Sequence, residues 1–334
     1  MAKSLNTWLT RTTGVKVPFM QGGMQNVGTA VMVSAVANAG ALGFLTAFTQ
    51  PTPEALRAEI RKCKELSGNN VFGVNFTLLP AINPPDYVSF AQVAVDEGIW
   101  IFETAGNPKP VMPVLKSVKN AIIIHKCVNL KHALKAEKAG VSAITIDGFE
   151  CAGHPGEEDI TTLILLGRCR QEISIPILAS GGFADGRTAA AAFAMGAQAV
   201  NMGTRWMCTK EAPVHENVKK TIVAAKETDT ALLLKPLNNA VRCYNNAVAK
   251  KVHAAELDSG KNFEFGMIRD LMAGAKGKQV YETGDVDLGI WSVGQSQGLI
   301  HDIPSCQELV DRLVRETIDC LEQGYSIIQN GANL

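Results

Sequence analysis

A chain of 334 residues with 46% apolar, 19% charged and 6% aromatic residues has globular composition, which excludes disorder, a fibrous repeat and a disulfide-stapled miniprotein. Lys plus Arg and Asp plus Glu number 32 each, so no basic footprint points to nucleic acid or to an anionic membrane surface. No apolar run reaches the ~18 residues of a spanning helix, and eight scattered cysteines without a CxxC pair indicate neither a metal site nor a disulfide framework.

Free thiols fit a reducing compartment, and cytoplasm is the expected location. The acid-free first 53 residues resemble a transit peptide only faintly, because Val17 already begins a strand-like run. The length suits one α/β barrel of ~250 residues with something added.

In chain order, a short apolar run at Val17 to Gln21 is broken by Gly22-Gly23 and followed by helical spacing from Thr29 to Ala39. This β-then-α unit recurs: Leu42 to Ala47 with Pro53 to Leu66, Phe72 to Leu79 with Tyr87 to Glu97, Ile99 to Thr104 with Val111 to Val118. It continues with Ala121 to Cys127 and Leu130 to Ala139, Ala143 to Ile146 and Ile160 to Gln171, Pro176 to Ala179 and Gly186 to Ala194, and Ala199 to Met202 with Val214 to Ala225. The strands are continuous apolar runs, as parallel strands covered on both faces require. Eight units favour a closed (β/α)8 TIM barrel over an open doubly wound sheet. After Lys226 the alternation stops, and residues 211–282 read as a helical inserted domain, with residues 1–210 and 283–334 forming the barrel. One last amphipathic helix is expected over Cys306 to Gln323.

Ligands of such barrels sit at the carboxyl ends of the strands. Glycine and polar residues collect there: Gln21-Gly22-Gly23-Met24, Asn75 and Thr77, Glu103-Thr104, His125-Lys126, the Asp147 to Gly156 loop, Ser180-Gly181-Gly182 and Gly203-Thr204-Arg205. The loops after strands seven and eight are the usual phosphate cradle, since glycine lets backbone N–H groups approach an anion. No Walker loop and no GxGxxG opens a helix. Lys126, ending an apolar strand, is costly there without a negative partner, so it snorkels to solvent, pairs with Asp147 or faces a ring that becomes anionic on reduction. His154, in a glycine-rich loop, has a side chain suited to proton or hydrogen-bond work near neutral pH. It is otherwise a surface residue, and Cys151 is either a nucleophile or a small buried thiol.

Seven motifs in order carry a resemblance: Pro18 to Met24, Gly73-Val74-Asn75, Glu103 to Gly106, His125-Lys126-Cys127, Asp147 to Gly156, Ala179 to Gly186, and Asn201 to Arg205. Together with Asp287 to Ser292 and Gly298-Leu299-Ile300, they resemble the nitronate monooxygenase (2-nitropropane dioxygenase) family of FMN barrels over nearly the whole chain. The Glu150-Cys151-Ala152-Gly153-His154-Pro155-Gly156 loop is similar to the bacterial NADH:quinone reductase branch, as are Leu78-Leu79-Pro80 and Pro84-Pro85. Asn26 departs from the pattern, which has an aromatic residue there.

The resemblance implies tightly bound FMN, with Gly22, Gly23, Met24 and Thr77 along the isoalloxazine and ribityl chain and Lys126 at the pyrimidine edge. It implies a phosphate held by Ser180, Gly181, Gly182, Gly203 and Thr204, and a substrate facing Ala152 and His154. His154 and Lys126 are the expected catalytic residues. NADH would reduce the flavin and a quinone would accept two electrons. The alternatives are oxidation of alkyl nitronates with O2, flavin-dependent reduction of an enoyl thioester, and, from other classes, a flavin-free lyase-type barrel with a phosphate-bearing ligand or a flavin-binding protein without turnover. Small molecules are the expected partners, and a homodimer is compatible with the inserted lobe.

Overall fold

A computed structural model describes residues 3–78 and 84–328. Eight parallel strands close into a barrel in chain order: β1 (Phe19–Gln21), β2 (Leu42–Thr46), β3 (Gly73–Leu78), β4 (Ile101–Gly106), β5 (Ile122–Cys127), β6 (Ala143–Asp147), β7 (Ile177–Ser180) and β8 (Val200–Met202). Pairing of β1 with both β2 and β8 shuts the ring, with Met20 opposite Leu42 on one side and Asn201 on the other. The TIM barrel expected from eight repeating units is therefore present. Of the active-site loop read at residues 78–85, Leu79 and Pro80 lie outside the described residues.

Because successive strand side chains point to opposite faces, each strand feeds two cores. Met20, Leu42, Phe44, Ile101, Ile124 and Leu178 form the plug inside the barrel. Phe19, Leu45, Phe102, Ile123, Ile144 and Val200 face the surrounding helices. A short helix ahead of the barrel, α1 (Trp8–Thr13), lies where no element was expected, and its fully buried Leu9 joins the inner plug.

The outer helices are α2 (Ala30–Asn38), α3 (Pro53–Ser67), α4 (Tyr87–Asp96), α5 (Met112–Lys116), α6 (Leu130–Lys138), α7 (Thr162–Glu172) and α8 (Gly186–Ala194), followed by a one-turn α9 (Thr204–Met207) and α10 (Glu216–Ala224). The eighth seat in the ring is filled late. α13 (Cys306–Ser326) packs against both α8 and α2, burying Leu309, Val310 and Leu313. Its approach to α8 requires Gly186, where a Cβ would lie 2.3 Å from Glu316 Cβ. A capping box joins Ser305 and Glu308 at its start.

Between α10 and α13 the expectation of helix alone is corrected. Residues Thr230–Leu233 (β9) and Val241–Tyr244 (β10) form an antiparallel hairpin, followed by α11 (Ala247–Ser259) and α12 (Gly274–Thr283). Segments of four residues, one of them interrupted by Arg242, do not declare a strand by period. These two become strands because Leu233, Val241 and Cys243 pack onto Ala249 and Val252 of α11, closed by Phe263 and Ile268. That small core is separate from the barrel's. Val218 and Ile222 of α10 and Val280 of α12 belong instead to the layer around the barrel.

Candidate active site

At the carboxyl ends of the strands lies a cavity of about 520 Å3, within the range of small-molecule sites. Every residue assigned to the site from the sequence lines it: Gly22, Gly23, Met24, Thr77, Lys126, Ala152, His154, Ser180, Gly181, Gly182, Gly203 and Thr204. The far wall comes from Gly277, Lys278 and Tyr281 of α12 and from Ile290 and Trp291 after it.

The floor is a polar network held by strand register. Glu103 on β4 is fully buried and its Oε2 accepts from the Gly23 N–H and from Asn75 Nδ2, both at 2.7 Å. Thr77 donates its hydroxyl to Asn75 Oδ1 at 2.9 Å. Gly22 and Gly23 are needed for what lies beneath them. A Cβ on Gly22 would come within 2.6 Å of Asn201 Oδ1, and one on Gly23 within 2.1 Å of Asn75 Cγ.

Lys126 stands between two carboxylates, with Nζ 3.8 Å from Glu103 Oε1 and 3.9 Å from Asp147 Oδ2. Burial works to lower its pKa, but Asp147 and Glu103 together outweigh that, so the ammonium is held above its ordinary range and stays charged. The pair with Asp147 expected from the sequence exists, and the residue also lines the cavity. His125, its neighbour, faces away, sharing a 2.8 Å hydrogen bond with Thr104. Arg205 also leaves the rim, and its guanidinium is buried against Asp302 and the Cys208 carbonyl.

The loop after β6 carries His154 over the cavity. Its imidazole is exposed at the cavity mouth and has no hydrogen-bond partner among the described residues; partial desolvation lowers its pKa, opposed by Glu157, so the neutral ring is favoured at neutral pH. Cys151 beside it has its thiol pushed well up by burial, reinforced by Asp147, and a protonated thiol does not serve as a nucleophile.

The phosphate cradle can be checked against FMN from this chain's own atoms. Gly181 and Gly182 both sit at φ +87, a left-handed backbone that suits glycine. The N–H groups of Gly181, Gly182, Gly203 and Thr204 meet no acceptor among the described residues. A Cβ on Gly203 would meet only Met24 Sδ, at 3.7 Å, and would otherwise project into the cavity. Free donors around space that a side chain would fill are what a phosphate monoester requires. The residues present fit FMN.

The comparisons with known proteins agree. The sequence matches the family profile described as nitronate monooxygenase over residues 6–316. The chain belongs to the nitronate monooxygenase family. It is 30% identical, over 97% of its length and 99% of the relative's, to the Mycobacterium tuberculosis protein named (3aS,4S,5R,7aS)-5-hydroxy-7a-methyl-1-oxo-octahydro-1H-indene-4-carboxyl-CoA dehydrogenase. A Staphylococcus haemolyticus protein named probable nitronate monooxygenase is 27% identical over 93% of this chain and 97% of that one. Among solved structures, FabK from Thermotoga maritima superposes with a TM-score of 0.89 at 30% identity, covering 97% of this chain and all of that one. The protein is thus an oxidoreductase of this family, whose members are typically FMN-dependent.

The sequence placed Glu103 at the rim without giving it a role, and named Asp147 only as a partner for Lys126. The signal was available: a carboxylate in the apolar run of β4, next to the strand that carries Lys126. The α12 wall was not legible, since no motif marks it. Asn26 has a local cause, because it occupies a left-handed turn position (φ 63) that asparagine tolerates and bulky side chains resist.

Proposed function

We propose that this member of the nitronate monooxygenase family is an FMN-dependent NADH:quinone reductase. The observation that carries the reading is the charge of the cavity floor, where the Lys126 ammonium stands between two carboxylates, and the His154 imidazole on the loop above, without a hydrogen-bond partner among the described residues, is neutral. Such a floor does not attract an anionic nitronate. Among the described residues it also leaves no carboxylate without an ion pair or hydrogen bond there to remove a carbon-bound proton. Flat neutral rings, the dihydronicotinamide and the quinone, meet neither obstacle.

Bound FMN would supply a position that takes a hydride from NADH, leaving NAD+, and returns two electrons to a quinone, which acquires two protons in becoming a hydroquinone. Ser180, Gly181, Gly182, Gly203 and Thr204 would hold the phosphate. Gly22, Gly23, Met24 and Thr77 would lie along the ring and ribityl chain. Lys126 would oppose the negative charge that reduction brings to the pyrimidine edge, with Glu103 and Asp147 keeping it charged at ion-pair distance. Ala152 would offer a small flat surface, and His154 would hydrogen-bond the substrate through either ring nitrogen. Tyr281 and Trp291 would exclude water from the stack.

The second reading, oxidation or reduction of an acyl thioester, is favoured by the Mycobacterium tuberculosis relative, whose name specifies a carboxyl-CoA substrate. Anaerobic mixing with NADH, an alkyl nitronate and an acyl-CoA in turn separates the readings. Rapid loss of the flavin's visible band with NADH alone, restored by a quinone, is expected. Bleaching by the nitronate or the thioester, with NADH inert, would overturn the proposal.

A further inference from the structure

Arg242, in the middle of β10, lies far along the chain from every motif that marks the site. It is 3% exposed, and no carboxylate stands within ion-pair distance of it among the described residues. A buried charge without an ion pair is costly unless its hydrogen bonds are all directed at something useful. Those of Arg242 converge on the loop that carries His154. Nε and Nη2 donate to the Phe149 carbonyl at 3.1 and 2.9 Å, and the guanidinium lies 4.4 Å above the Phe149 ring. Nη1 donates to Thr230 Oγ1 on the neighbouring strand β9, at 2.9 Å.

The backbone repeats the connection. Gly153 N–H donates to the Arg242 carbonyl at 3.0 Å and Arg242 N–H to the Gly153 carbonyl at 2.6 Å, so one residue of the loop is paired as though it were a third strand of the hairpin. Gly153 makes that pairing in a left-handed conformation, φ 73, immediately before His154. Between these attachments Glu150 is pinned from the barrel side, its carboxylate accepting from the Thr162 N–H at 2.9 Å. The His154 loop is thus gripped at Phe149 and again at Gly153 by a single residue of the inserted segment.

We propose that Arg242 is a positioning residue for His154, and that the β9–β10 hairpin is the buttress of the substrate-facing loop. The proposal rests on the reading that His154 meets the substrate. Arg242 acts on the ligand only through the loop, since the phosphate cradle and Lys126 are carried by barrel strands that it does not touch.

Two readouts test this on the flavin-loaded protein. The first is amide hydrogen exchange in Arg242→Met. Exchange across residues 149–154 should accelerate about tenfold or more, while 181–182 and 203–204 keep their rates. Unchanged exchange in the loop overturns the proposal. The second is a double-mutant cycle on the rate of flavin bleaching by saturating NADH. Arg242→Met should slow bleaching about tenfold with flavin content and midpoint potential unaltered, Arg242→Lys should recover part of the loss, and in a His154→Ala background Arg242→Met should change the rate less than about twofold. An equal loss in both backgrounds overturns the positioning role. No loss in His154→Ala alone would instead refute the reading of His154, and the exchange measurement still decides Arg242. If Arg242→Met does not fold, Arg242→Lys and Thr230→Val carry both readouts, with smaller changes in the same direction, and unchanged loop exchange in both overturns the proposal.

Discussion

Lys126 Nζ lies 3.8 Å from Glu103 Oε1, a fully buried carboxylate oxygen that no hydrogen-bond donor reaches among the described residues. The cation is therefore placed at ion-pair distance without a direct hydrogen bond, and Asp147 holds it equally loosely from the other side. Such an ammonium can respond to charge that develops in the cavity, because neither carboxylate has locked it by short contact.

Opposite electrostatic effects follow for the two partners. Lys126→Met removes a positive charge near the reduced ring and should lower the flavin midpoint potential, while Glu103→Gln removes a negative one and should raise it. Each change is on the order of 1–2 kcal/mol, or roughly 20–40 mV for a two-electron couple. Dye-coupled titration of both folded variants checks the signs, and shifts in the same direction would refute the arrangement.

Gly203→Val should strip the protein of flavin. The substituted side chain would stand in cavity space, where only Met24 Sδ lies within 4 Å, so the loss would come from occupying the phosphate cradle and not from backbone strain. Charge-assisted bonds of ~1.5–3 kcal/mol are at stake. Gly181→Val, at φ +87, adds strain to the same defect and is the less specific variant. Full flavin content in purified Gly203→Val would remove the cradle from these loops.

His154 should orient substrate without carrying a proton in the hydride step, so His154→Ala should slow flavin reduction by at most ~10²-fold. Its pKa is lowered, so the neutral ring prevails throughout the neutral range, and the rate should be flat with pH there and change only on the acid side. Stopped-flow reduction across pH gives the profile. Abolished turnover, or a His154-dependent break above pH ~6.5, would contradict the orienting role.

Acid stability tests the neighbouring strand position. Burial pushes His125 down to about 4, with a small contribution from His132. Between the unfolded value near 6.5 and that folded value the unfolded chain binds a proton that the native state refuses. Stability from this group is fully present above pH ~6.5, is lost as pH falls toward about 4, and is level below that. The loss is about 3 kcal/mol at most. Urea midpoints should fall more steeply between pH ~7 and ~4.5 for the native protein than for His125→Gln, and parallel slopes would contradict the assignment.

The sequence by itself determined the barrel, because eight apolar runs each followed by a helical period have one economical closure, and chain connectivity alone delivers the rim residues to one end. It also placed the glycines at 181, 182 and 203 at the cavity, since they follow strands seven and eight directly and line it through their own backbone. The tertiary structure alone decided what depends on a distant partner. The strand pair 230–233 and 241–244 forms because its side chains find α11 and its edge finds Gly153. The eighth barrel helix is α13, and not the helix nearest β8 in sequence, because the seat between α8 and α2 is filled by packing and not by chain order. Lys126 and His125 are adjacent in an apolar run, yet one faces the cavity between two carboxylates and the other turns to Thr104. Alternation along a strand separates them, but only closure of the barrel tells which face is the inside.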